Sequence, residues 1–86
     1  MNTIVIIFNN ELNNTSIDLE VPLDISANDL VIALNCAYNL GIDTTNQKKS
    51  YLKAENPFVL LRGSKKLSEF GLHNGSIINF TKQEGR

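Results

Sequence analysis

The chain opens on Thr3-Ile4-Val5-Ile6-Ile7-Phe8, a β-branched and unbroken apolar run. Such a run predicts a strand covered on both faces or nearly so. Two inward sets are open to it, Ile4/Ile6/Phe8 or Val5/Ile7, and the pattern does not choose between them. The polar cluster Asn9 to Asn14 predicts a turn, because Asn tolerates left-handed backbone and supplies local hydrogen bonds. From Thr15 to Val21 the chain alternates, with Ile17, Leu19 and Val21 on one side and Ser16, Asp18 and Glu20 on the other. That is a half-buried strand, and the two strands form an antiparallel hairpin.

Ser26 with Asp29 three residues on predicts a helix start, a variant of the capping box. Ile25 and Leu30 are placed to form the hydrophobic staple. Leu30, Ala33, Leu34, Ala37 and Tyr38 fall on one side of a wheel turning about 100° per residue. Gly41 is the expected stop, with Ile42 folding back on the last turn. After a polar connection from Asp43 to Ser50, two short strands are predicted at Tyr51–Ala54 and Phe58–Leu61, hinged at Glu55-Asn56-Pro57. A loop at Arg62–Lys66, one helical turn at Leu67–Phe70, a tight turn at His73-Asn74-Gly75 and a last strand at Ser76–Thr81 complete the order. A helix with one apolar stripe must cover one face of a sheet. The expected inward sets are therefore Ile17/Leu19/Val21, Leu52/Ala54, Val59, Leu67, Leu72 and Ile78/Phe80.

That element order, hairpin–helix–two strands–turn–strand, is the α+β order of the ubiquitin-like β-grasp. The stretch Lys66-Leu67-Ser68-Glu69-Phe70-Gly71-Leu72-His73-Asn74-Gly75-Ser76 resembles the segment before the last strand of ubiquitin-like proteins, and Val21-Pro22-Leu23 before a capped helix is similar too. Among β-grasp groups the chain most resembles the YukD/EsaB type, small ubiquitin-like proteins associated with bacterial type VII secretion. The resemblance covers residues 3–81 and implies a mixed five-stranded sheet on one main helix. It further implies a cytoplasmic accessory or regulatory role, exercised by binding cytosolic parts of a membrane secretion complex, since the same fold also occurs there as a cytosolic domain of a channel component. Residues 1–81 are expected to form one domain and 82–86 a short flexible tail.

Composition narrows the chemistry. With 86 residues the chain is one small domain, and 42% hydrophobic with 20% charged residues is a globular balance. Cys36, the single cysteine, excludes an intramolecular disulfide or a four-cysteine metal site, and no cofactor is expected. No apolar run is long enough to span a bilayer, and Met1-Asn2-Thr3 leads straight into a strand with no leader-like segment. His73 is the only histidine and lies in a turn; no Ser or Cys nucleophile has a placed base and orienting acid, so catalysis is not expected. A sulfur carrier or protein modifier is the alternative within the same fold. It needs a C-terminal Gly-Gly, whereas this sequence ends Glu84-Gly85-Arg86.

Net charge is −1, which disfavours a nucleic-acid partner. Its distribution is lopsided. Residues 1–43 hold six acids and no Lys or Arg, while 44–86 hold eight bases and three acids. By the ubiquitin resemblance, the outward sheet positions that form an apolar docking patch in ubiquitin are here Lys53, Asn79 and Thr81, which are polar. Docking is therefore expected on other surfaces. The candidates are a basic side of Lys53, Arg62, Lys65 and Lys66, and an exposed helix flank of Ile32 and Cys36.

Overall fold

A computed structural model describes residues 2–46, 48 and 50–81. The elements are β1 Thr3–Asn10, β2 Thr15–Pro22, α1 Ala27–Tyr38, β3 Leu52–Glu55, β4 Val59–Leu61, a 3-10 turn at Leu67–Phe70 and β5 Ile77–Phe80. The sheet order is β2-β1-β5-β3-β4. β1 runs antiparallel to β2 and parallel to β5, so the first and last strands sit side by side. β3 is antiparallel to both β5 and β4. This is a β-grasp. The expected tail at 82–86 lies outside the described residues.

The open question at β1 is settled by burial. Ile4, Ile6 and Phe8 face the core, whereas Val5 points outward and is 45% exposed. Their partners across the pair are Val21, Leu19 and Ile17, which therefore share the helix side as expected. Burial fades along that edge strand, from Val21 at 5% to Ile17 at 36%.

Two helix expectations are corrected. Ser26 caps the start as read, its Oγ accepting the Asp29 N–H at 3.0 Å. The buried stripe, however, is Ala27, Leu30, Val31 and Leu34, with Tyr38 half-buried; Ala33 and Ala37 are exposed. An Ala side chain offers little area to bury, so the helix turns its larger Val31 and Tyr38 inward. Phe8 and Tyr38 rings meet at 5.4 Å. The helix also stops before Gly41: Asn39 takes the left-handed conformation (φ 54°) that ends it. Ile42 does fold back, by a pair of bonds between its backbone and the Asn35 amide, 2.9 Å for its N–H and 3.2 Å for its C=O.

Leu40, Ile42, Leu52, Ala54, Leu61, Leu67, Leu72, Ile78 and Phe80 complete the core. In β4 the fully buried residue is Leu61, and Val59 is only half-buried. Ser76 is buried with both capacities used: its Oγ accepts from His73 N–H at 3.0 Å and donates to the Asn56 carbonyl at 2.9 Å.

Candidate functional site

Arg62, Lys65 and Lys66 are carried on one loop, and the backbone of that loop is pinned to the start of α1. Asn28 N–H donates to Gly63 C=O and Ala27 N–H to Lys65 C=O, both at 2.9 Å, and Ser26 bridges to Lys66. Helix-start amides lack intrahelical partners, so these carbonyls satisfy them. Backbone amides of α1 are thereby occupied, and the positive character of the loop resides in its three exposed side chains. Lys65 Nζ lies 5.1 Å from the Phe70 ring centroid, a cation–π contact that orients it. Lys66 N–H donates to Glu69 Oε2 at 3.3 Å, which opens the 3-10 turn.

Lys53 is carried on β3 rather than on this loop. It lies on the outer face of β3, between Asn79 of β5 and Leu60 of β4 in register. There it borders a concavity of about 340 Å³ with Glu55, Phe58, Leu60 and Asn79. Arg62 instead borders a larger groove of about 770 Å³ with Ser26, Thr45, Lys48 and Ser50. The Ser50 hydroxyl in that groove is buried without a hydrogen-bond partner among the described residues. Ile32 and Cys36 lie one turn apart on α1, both exposed, as expected for that flank.

Phe58 and Leu60 are residues that sequence reasoning missed. Phe58 is 85% exposed and Leu60 46%. The run Phe58-Val59-Leu60-Leu61 is uniformly apolar, so no alternation marks its outer side; only the pairing of Leu60 with Lys53 does. The outer sheet face is polar at Lys53, Asn79 and Thr81 but mixed where Phe58 and Leu60 adjoin them. From that concavity a hydrogen-bonded ladder crosses four strands: Ser16 Oγ to Asn9 Oδ1, Asn9 Nδ2 to Asn79 Oδ1 at 2.8 Å, and Asn79 Nδ2 to Glu55 Oε2.

The His73 ring places Nδ1 2.9 Å from the Asn74 carbonyl within its own turn. Among the described residues no three His, Cys, Asp or Glu side chains gather as a metal site, and no helix is long and apolar enough to cross a membrane.

Residues 4–79 match the sequence pattern of protein YukD of the WXG100 protein secretion system (Wss). The chain belongs to the YukD family. No curated protein sequence matches it. Solved structures similar to this YukD-family chain include ubiquitin-like domains. That of the Mycobacterium tuberculosis type VII secretion system protein ECCD1 is 20% identical with a TM-score of 0.57, over 92% of this chain and 97% of that domain. That of Plasmodium falciparum Dsk2 is 16% identical with a TM-score of 0.59, over 93% and 100%. One from Arabidopsis thaliana is 16% identical with a TM-score of 0.69, over 100% and 84%. At these identities the likeness is one of fold.

Proposed function

We propose that this YukD-family chain is a non-catalytic accessory or regulatory protein of a bacterial type VII secretion system. It acts in the cytoplasm by stoichiometric binding to cytosolic parts of the membrane secretion complex. The observation that carries this reading is the family match over residues 4–79, which takes in β2, α1, β3 and β4 whole and all but one residue each of β1 and β5. The ubiquitin-like domain of ECCD1, itself a type VII secretion protein, supports the same context. The physical part is the surface: an exposed basic loop whose backbone is held by the helix start, so that acidic partner groups meet pre-positioned charges.

Affinity capture of the tagged protein from cells, followed by mass spectrometry, tests it. The expected result is recovery of secretion-complex components in fixed ratio, together with loss of substrate export when the gene is deleted. Unaltered export in the deletion strain overturns the proposal. So does recovery of the chain joined through its carboxyl terminus to lysine, which belongs to a modifier.

A further inference from the structure

β2 is an edge strand of eight residues, and its outer side is unpaired among the described residues. The orientation of its backbone follows from the neighbouring ladder. On β1, Ile7 N–H donates to Ser76 C=O at 2.9 Å and Glu11 N–H to Phe80 C=O at 3.1 Å, so odd-numbered residues there face β5. Even-numbered residues face β2, as Leu23 N–H donating to Asn2 C=O at 2.9 Å confirms at the strand end. In an antiparallel pair, residues whose partners face them donate inward and the alternate ones point away. Ser16, Asp18 and Glu20 are opposite Asn9, Ile7 and Val5. Their N–H and C=O groups therefore face the open side. The series is closed by Pro22, which has no N–H to offer.

The side chains at this edge choose the occupant. On the helix side, Ile17 is 36% exposed and Leu19 half-buried, leaving apolar surface beside the open backbone. On the outer side stand Asp18 and Glu20, the Glu20 carboxylate accepting from the Thr3 hydroxyl at 2.7 Å, and neither β1 nor β2 carries a Lys or Arg. A second copy pairing antiparallel about Leu19 sets Asp18 against Glu20, and like charges directly opposite are destabilising. A second copy offering β4 supplies only three residues. A partner strand with basic side chains opposite Asp18 and Glu20, and apolar ones beside Ile17 and Leu19, satisfies both faces.

We propose that the β2 edge receives, by strand addition, an extended partner segment whose side chains alternate basic and apolar. This rests on reading the chain as a binding module and names the surface and the chemistry it takes. The test titrates isotope-labelled protein with a short capped peptide alternating lysine and valine, and with a counterpart carrying glutamate for lysine. Expected are saturable shifts and slowed amide exchange at Ser16, Asp18 and Glu20, with the glutamate peptide at least about tenfold weaker from two reversed cross-strand pairs. Asp18→Pro removes one outward N–H and should weaken the lysine peptide strongly. Asp18→Lys keeps every backbone group and should lift the discrimination between the peptides.

No change at those three amides, equal affinity for both peptides, or protection that grows with protein concentration alone (a second copy) would each overturn the proposal. Peptide binding uses the purified chain, so its failure leaves the secretion role standing. Failure of the capture experiment alone leaves the edge standing.

Discussion

Ser26 and Asn39 bracket α1, and each acts through a single local feature. Ser26→Ala removes the acceptor for the Asp29 N–H and should cost about 1 kcal/mol, read as a lower denaturation midpoint. Asn39→Gly should be neutral or slightly stabilising and Asn39→Val destabilising, because φ is 54° there and a β-branched side chain resists that region. Asn35 is the less obvious residue. Its amide holds both backbone groups of Ile42, so it sets where the chain turns back, and nothing in local periodicity marks that task.

At the scale of elements, the helix stripe offers a sharp comparison. Val31 is 0% exposed, so Val31→Asp should unfold the domain, while Ala37→Asp on the exposed flank should leave the melting temperature nearly unchanged. The wheel drawn from sequence placed Ala37 inside, and that pair of variants separates the two rotations. In the sheet, Ile6→Ala should cost about 2–5 kcal/mol, since Ile6 is fully buried. Ile17→Ala, two residue pairs along the same hairpin face at the open edge, should cost much less. Both comparisons are read from denaturant unfolding. The hairpin, the Ser26 cap, the 3-10 turn and the last strand were all legible, because alternation and capping chemistry are local. The Gly41 stop and the Ala33/Ala37 stripe were not. Asn39 reached the left-handed region first, and Val31 had more area to bury.

Across the whole molecule, strand order sets where the charges lie. The acidic β2 lies at one edge of the sheet and β3 and β4 at the other, while the basic loop after β4 is bonded to residues 25–28, between Asp24 and Asp29. Complexes formed through exposed charges weaken as salt rises, since screening acts beyond about 8 Å at physiological ionic strength. Partner recovery should therefore fall with added salt. Lys65→Glu with Lys66→Glu should abolish recovery if the basic loop docks the partner, with little change in stability. Both positions join α1 or the 3-10 turn through backbone groups that substitution keeps. Unchanged recovery would assign docking elsewhere on the surface.

Period, caps and turn residues lie within a few positions of one another, and so the order of elements, the β-grasp and the YukD family could be read from one line of text. Which face of β1 turns inward, how far burial reaches along β2, and that Phe58 and Leu60 are left outside depend on neighbours distant in the chain. The surroundings of Lys53 are set in the same way: β3 pairs with β5 and β4, and only that pairing places it between Asn79 and Leu60. Burial is a property of the assembled neighbourhood, whereas periodicity belongs to the segment itself.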